Sequence, residues 1–560
     1  MPRLLRRLAA TLPAAALLVV PAHAQPVELM PGVTYEKQVQ FTPRGPVALT
    51  VITAPAPGGL YTIGPVLASG TLTGPRLRVT QIQRSLGTTA ITAGINADFT
   101  SASGLPSGIV VRGGVYEHTP TPGRSSIGLD GSGVLRVTRF TFVGTWKGTG
   151  QRRPLAGINQ KPKGNQTVLF TPAWGPATPD VANATVVVLQ PFPAATPNTD
   201  LQATVAETPA GPTPIPADGA VLVATGSQAS KLADEAPAGT SVTTRLILPS
   251  SWAGVTAAIG GGPVLVRNHR AVFKTSENFA AEQLMSRDAR AGVGQLDDGR
   301  IILVAVDGGR PGYSVGMTTY ELAQTMARLG AVTAAAVEPG KAVTAAFQGQ
   351  LLNRPSASAG ERPVKEALLV QYIGVYAARP AVPQLGRNNQ AGGQQLSYTV
   401  VRPSTVTAVL VAPDGSTRPV DAGTREPGAY RFAWSAFDAE GTWRWRVSAT
   451  DDQSRESSAD RAFQVDFTLS GLKVPSVAHA LKVGFTLARA ASVTLQIETK
   501  AGSVVAQLPA VQLEPGAQSL SWDDTTSSGA KAPPGQYVAR VVATSAVGTM
   551  NLSAPFTLRG

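Results

Sequence analysis

Two stretches in the last quarter of the chain repeat one another, and that repeat narrows the possible folds more than any other feature. Residues 426–450 read E-P-G-A-Y-R-F-A-W-S-A-F-D-A-E-G-T-W-R-W-R-V-S-A-T. Residues 514–544 read E-P-G-A-Q-S-L-S-W-D-D-T-T-S-S-G-A-K-A-P-P-G-Q-Y-V-A-R-V-V-A-T. Each has E-P-G-A, a Trp at the same spacing, an acid-containing turn with Gly, and then an aromatic-led alternating run. Apolar residues at every second position in T-W-R-W-R-V and Q-Y-V-A-R-V-V-A specify strands with one face in a core and one in water. A unit that recurs in this way is a module. The pattern predicts two all-β sandwiches, over 396–467 and 468–560. Trp434, Trp522 and Tyr537 are expected in their cores. Trp443 and Trp445 are read as core residues or as sugar-stacking surfaces.

The preceding segment 379–395, R-P-A-V-P-Q-L-G-R-N-N-Q-A-G-G-Q-Q, reads as a linker. At 560 residues the chain exceeds one core and calls for two to four domains. Residues 25–378 then form a first domain of mixed character. Its clearest helix is T-T-Y-E-L-A-Q-T-M-A-R-L at 318–329. Thr318 and Glu321 have capping-box spacing, Leu322, Met326 and Leu329 share a face, and Gly330 can end the helix in the left-handed region. The small apolar run A-V-T-A-A-A-V-E that follows suits a closely packed strand, with Glu338 at its C-terminal end. The Pro-, Ala- and Thr-rich region 171–240 keeps apolar strands such as A-T-V-V-V-L-Q at 184–190 and is read as extended loops and edge strands of the same domain.

The first residues, M-P-R-L-L-R-R-L-A-A-T-L-P-A-A-A-L-L-V-V-P-A-H-A, have the form of a signal peptide, 1–24. Three arginines precede a short apolar run, and Ala22-His23-Ala24 provides a small-x-small cleavage site. The protein is therefore expected to be exported: secreted, periplasmic or cell-surface associated, with no membrane span once the leader is removed. No cysteine is present, which excludes disulfides and thiolate metal sites. The formal charge of +13 falls to +10 without the leader's three arginines. No basic run interleaved with aromatics points to nucleic acid, so an anionic envelope polymer is the expected partner. His118, His269 and His479 read as structural or surface residues. No cofactor is expected; a metal, if used, would be a divalent cation on oxygen ligands.

Four stretches of the first domain combine Gly-rich loops with acids and arginines. They are I-N-A-D-F-T-S-A-S-G-L-P-S-G-I-V-V-R-G-G (95–114), I-G-G-G-P-V-L-V-R-N (259–268), the run R-A-G-V-G-Q-L-D-D-G-R-I-I-L-V-A-V-D-G-G-R-P-G-Y-S-V-G-M-T-T-Y-E-L-A (290–323), and L-L-N-R-P-S (351–356) with E-R-P-V (361–364). Taken in order, over 80–372, these resemble the phosphodiester glycosidase family. The final module, through S-W-D-D…P-P-G-Q-Y-V-A-R-V, resembles the immunoglobulin-like domain of flagellar-hook capping proteins. The expected architecture is an α+β N-terminal domain with mixed and antiparallel sheets and few helices, followed by two all-β immunoglobulin-like sandwiches.

The resemblance implies hydrolysis of a sugar-1-phosphodiester in an envelope or extracellular phosphorylated glycan. Cleavage at an anomeric carbon calls for carboxylates as acid, base or nucleophile, and a phosphate calls for Arg. Asp98, Asp307 and Glu338 are the candidate catalytic residues. Asn96, Arg290, Lys341, Arg354 and Arg362 are the candidate substrate-binding residues. One loop departs from the family pattern. Where the family has L-D-G-G-G-S-S-T, this chain has V-E-P-G-K-A-V-T, so that Glu338 replaces Asp and Pro339 and Lys341 replace glycines. The alternative to an enzyme is a non-catalytic phosphoglycan-binding or structural envelope protein.

Overall fold

The computed structural model describes residues 26–272, 277–388 and 393–559. The leader, 1–24, and four residues of the expected linker, 389–392, lie outside the described residues.

The first domain is built on four sheets. One eight-stranded sheet runs Val27–Met30, Val33–Thr42, Gly45–Ala54, Ile301–Val306, Arg290–Leu296, Ala331–Ala336, Val264–Arg267 and Arg270–Ala271. A five-stranded sheet has Ile91–Asn96 at its centre, flanked by Ala345–Phe347 and Glu366–Tyr372. Both are antiparallel throughout. Ile52, Leu303 and Val293 of the larger sheet and Ile91, Ile95, Leu368 and Val370 of the smaller belong to one buried core. Both faces of these strands are covered, which is why they read as continuous apolar runs rather than alternating ones.

The other face of the larger sheet carries the helix Thr319–Arg328, whose Leu322 and Met326 are fully buried against Leu265 and Val304. The expected cap is present: Glu321 N–H donates to Thr318 Oγ1 at 3.2 Å, and Thr318 N–H donates to Glu321 Oε2 at 2.8 Å. Gly330 follows with φ +92°. The strand Ala331–Ala336 uses its small residues to pack tightly: a Cβ at Gly294, opposite, would sit 2.9 Å from the Met326 methyl.

In the region 171–240 the expected strand at 184–190 is present as Thr185–Leu189, but it lies inside a sheet and not at an edge. Thr185–Leu189 and Ala220–Ala224 pair with each other inside a second eight-stranded sheet. Each is buried over nearly its whole length, so neither shows the alternation that marks a half-exposed strand. The proline-rich stretches lie between them.

The tail has the expected sandwiches. Trp443 and Trp445 are fully buried, and their indole N–H groups donate to Ala439 O and Ser397 O at 2.9 and 3.1 Å. Sugar stacking is thereby ruled out for both. Trp522 and Tyr537 are buried in the last module, and Trp434 is half-buried against the core of the first. The expected linker is partly structured: Gln384–Leu385 pairs in parallel with Glu456–Val465, on the edge of the first sandwich. Arg461 of that sandwich forms an ion pair with Glu28 on the first strand of the chain and donates to Ala377 O at 2.9 Å.

Candidate active site

The strand Ile91–Asn96 is buried at every position and ends at the two groups of interest. Asn96 is fully buried, with its amide divided between two points on one loop. Nδ2 donates to Glu338 O at 2.8 Å, and Oδ1 accepts from Thr344 N–H at 3.2 Å. It positions the loop that carries Glu338; its amide is not turned toward a ligand.

Asp98 lies two residues further on and is 4% exposed. Oδ1 accepts from Phe99 N–H at 2.7 Å, and Oδ2 from Gly108 N–H. Glycines close over it. A Cβ at Gly108 would lie 3.2 Å from Oδ2, and one at Gly260 would run into both carboxylate oxygens. Burial pushes the Asp98 carboxyl up to about 7; the Gly108 and Phe99 amides oppose the rise, the Glu338 charge adds to it, and Arg124 offsets part of it. The Gly108 carbonyl is bound by His118 Nδ1 at 2.7 Å, and the same nitrogen lies 3.0 Å from Thr119 O. Both partners are acceptors, so Nδ1 carries the proton. Burial lowers the His118 pKa and keeps the ring neutral.

Glu338 follows the strand Ala331–Ala336. Its N–H donates to Ala97 O at 3.0 Å, which sets it beside Asp98. Its side chain is 13% exposed and lies 4.0 Å from Arg362. Burial raises its pKa, against the charges of Arg362 and Arg76 and hydrogen bonds from Thr100. In the loop after Glu338, Gly340 has φ +72° and donates its N–H to Ala289 O at 2.8 Å. Lys341 beside it is exposed.

The remaining predicted residues are used differently. Arg290 is buried with its three kinds of nitrogen bound to carbonyls: Nε to Met317 at 3.0 Å, Nη1 to Gln283 at 2.8 Å and Nη2 to Ser286 at 2.6 Å. It ties the segment before its own strand to the approach to the helix, and holds no phosphate-facing fork. Asp307 accepts from Tyr313 OH at 2.9 Å, Asn353 Nδ2 at 2.8 Å and Arg354 N–H at 3.1 Å. The Arg354 guanidinium lies 4.6 Å from the Tyr313 ring centre. Among the described residues no hydrogen bond or ion pair joins Asp307 to Asp98 or Glu338.

Three groups at this site were not singled out from the sequence. Arg124 has its guanidinium 5.0 Å from the Phe99 ring centre and 4.4 Å from that of Phe279. Arg76 is exposed near Gly104, in the loop after Asp98. Glu366, 1% exposed, accepts from Asp98 N–H at 3.2 Å. An isolated Arg in a turn and a Glu leading an apolar strand carry no distinguishing sequence signal. Among the described residues no group of three or more His, Asp or Glu side chains is arranged to hold a metal ion. The arrangement is a pair of neighbouring carboxyls under a rim of arginines.

Comparison with known proteins bears on that arrangement. Residues 193–371 match the phosphodiester glycosidase family model, and residues 476–546 match the FlgD immunoglobulin-like domain. The first domain resembles the phosphodiester glycosidases. The family match begins later than residue 80 and ends where expected, so Glu338, Asp307, Arg290, Lys341, Arg354 and Arg362 fall inside it and Asn96 and Asp98 precede it. A hypothetical protein from Synechocystis is similar in structure, with 26% identity, a TM-score of 0.51, and coverage of 61% of this chain and 62% of that one. This chain thus spans less than two thirds of that protein's length. The catalytic domain of zebrafish N-acetylglucosamine-1-phosphodiester alpha-N-acetylglucosaminidase, auto-inhibited by its pro-peptide, aligns at 10% identity and a TM-score of 0.32, over 62% of this chain and 85% of that one. No curated protein matches the chain.

Proposed function

We propose that the protein is an exported hydrolase of sugar-1-phosphodiester linkages in envelope or extracellular glycans. The observation that carries this reading is the placement of Asp98 beside Glu338, whose charge adds to the raised proton affinity of Asp98, with Arg124 facing Asp98 and Arg362 and Arg76 facing Glu338. The arginines suit the phosphodiester, because a guanidinium matches phosphate oxygens and stays charged. Arg124 lies over the Phe99 and Phe279 rings and donates its Nε–H to Asn278 O at 3.0 Å.

Water attacks the anomeric carbon, the carbon–oxygen bond to phosphate breaks, and free sugar and a phosphomonoester leave. Glu338, the more exposed carboxyl, is assigned to the face of the sugar, as base or nucleophile. Asp98 holds a proton near neutral pH and offsets the charge that builds on the departing phosphate oxygen. Glu338 reaches one methylene further than the Asp of the family pattern, and the turn through Pro339 and Gly340 sets its starting point.

The second reading, a phosphoglycan-binding protein without turnover, is favoured by one observation. Asp98 is nearly sealed and both its oxygens accept main-chain amides. The two readings separate when the purified protein is incubated with N-acetylglucosamine-1-phosphodiesters and wall-derived phosphoglycans. The enzyme releases free sugar, and Glu338→Gln lowers that rate by about 10²- to 10⁴-fold. Saturable binding without release supports the binding protein. Export is supported by the leader and is checked by N-terminal sequencing of the mature protein. Among the described residues no helix is long and apolar enough to cross a membrane.

A further inference from the structure

The first domain and the first sandwich are tied together by several contacts, and an open cleft of about 690 Å³ lies between them. Val375 N–H donates to Ser457 Oγ at 3.0 Å, Arg461 pairs with Glu28, and the Phe347 and Tyr376 ring centres are 5.9 Å apart. One wall of the cleft is the outer face of the sheet formed by Ser404–Val411, Gly441–Asp451 and Glu456–Val465. Alternation sends Val406, Ala408, Val447 and Ala459 into the core and leaves their neighbours outside. In register across the three strands, Thr405 faces Thr450 and Thr450 faces Glu456; one step along, Thr407 faces Ser448 and Ser448 faces Ser458. All six are exposed. Among the described residues no hydrogen bond or ion pair occupies their side chains. Further along the same face, outside the cleft, Arg446 and Arg444 instead pair with Asp460.

The opposite wall is apolar and aromatic, made by Pro31, Leu60 and Tyr61. Tyr61 is half-buried, tied by its OH to Pro31 O at 2.7 Å and backed by the Tyr372 ring at 5.1 Å. It also borders a second cleft of about 520 Å³, which follows Tyr61–Pro65 of the edge strand Tyr61–Leu67 and is lined by Thr62, Thr256 and Gln371. The charged groups of that second cleft are already paired, Arg112 with Glu117 and Asp130 with Arg136.

A sugar ring has an apolar face of C–H groups and a rim of hydroxyls. The first cleft offers the matching pair of walls, one aromatic and aliphatic, the other a lattice of hydroxyls that donate or accept as the ligand requires. Among the described residues its one charged group is Glu456, so it disfavours the phosphate that the arginines near Glu338 suit. We infer that this cleft and its continuation along Tyr61–Leu67 bind an uncharged stretch of a glycan chain, remote from the reacting bond. Leu67, at the far end of the strand, pairs with Glu366, whose Oε1 accepts from Asp98 N–H at 3.2 Å. Tyr61 is therefore about 20 Å of strand away from the catalytic end, a span for several sugar units. Binding energy from a part of the substrate that does not react can be used at the reacting centre. For that use the inference rests on the hydrolase reading; the binding itself does not.

The test is calorimetric titration of the full chain with chitohexaose and cellohexaose, two uncharged six-sugar chains. Saturable binding of at least one is expected, equally strong in about 0.05 and 0.5 M NaCl because no charge pair forms. Thr407→Val combined with Ser448→Ala removes two exposed hydroxyls and should weaken binding by about tenfold. Thr405→Val combined with Ser458→Ala is an independent pair, should the first not fold, and the same loss is expected. No binding of either chain, binding untouched by the variants, or binding lost at high salt overturns the proposal. In catalysis the variants should raise KM for phosphoglycan chains and leave that for a short N-acetylglucosamine-1-phosphodiester unchanged; equal effects on both overturn the remote role. If a hexasaccharide binds and no phosphodiester is cleaved, the cleft assignment stands and the hydrolase reading fails. Sugar release without hexasaccharide binding gives the reverse.

Discussion

Replacing Asp98 by Asn should change the sign of its effect on stability between pH 4 and pH 8. In the folded protein burial holds the carboxyl at about 7, against 3.8 for the exposed group. The folded state therefore binds the Asp98 proton more tightly than the unfolded chain. Its contribution is fully present below pH 3.8 and is lost as pH rises toward and through 7. A rise of that size corresponds to about 4 kcal/mol lost by pH 8. Asn carries no charge and avoids this loss. It also offers one carbonyl oxygen where Asp offers two acceptors, so either the Phe99 or the Gly108 N–H loses its partner, at about 1–3 kcal/mol. At pH 4 only about 0.6 kcal/mol of the proton-linked penalty has developed, and Asp98→Asn should destabilise the first domain by about 0.5–2.5 kcal/mol. At pH 8 the relieved burial outweighs the lost acceptor, and the variant should be more stable by about 1–3 kcal/mol. The assay is urea unfolding at the two pH values, read by hydrogen exchange at amides of the strand Ile91–Asn96, so that the sandwiches do not enter the measurement. Equal destabilisation at both pH values would refute a protonated, buried Asp98.

Two other outcomes follow from particular contacts. Arg290→Ala removes a buried guanidinium and its three hydrogen bonds to the Met317, Gln283 and Ser286 carbonyls, and should cost about 3 kcal/mol; a folded variant with native stability and only weakened phosphoglycan binding would restore Arg290 to the substrate. Thr318→Ala removes the hydroxyl that caps Thr319–Arg328 and should cost about 1 kcal/mol in urea unfolding of the first domain. Sugar release should be unchanged, since the helix packs on the far side of the sheet.

The features legible in the sequence are those fixed by local rules. The helix Thr319–Arg328 announces itself through a cap, a period and a terminal glycine that all act within a few residues of one another. The sandwiches were readable because their strands are half-buried, so alternation survives in the sequence. Thr185–Leu189 and Ala220–Ala224 are covered on both faces, alternation vanishes, and the surrounding prolines make them look peripheral. The site was legible in part for a related reason. Asp98 and Glu338 stand at strand ends in Gly-rich surroundings, and the structure sets them side by side. Arg290 was misleading because a sequence does not distinguish an arginine facing phosphate from one facing three carbonyls. Glu366 was invisible because its meaning depends on Asp98, which is 268 positions away.

The Asn96 side chain, finally, makes the loop between Glu338 and Thr344 replaceable. Its amide grips the main chain at Glu338 and Thr344, and main-chain atoms do not change with the residues they bear. The segment between those two points can be exchanged as a cassette while its ends stay registered to the strand Ile91–Asn96. Substitution at Pro339, Lys341 or Ala342 then alters what the loop presents without moving where Glu338 begins, and the central sheet keeps the same mounting.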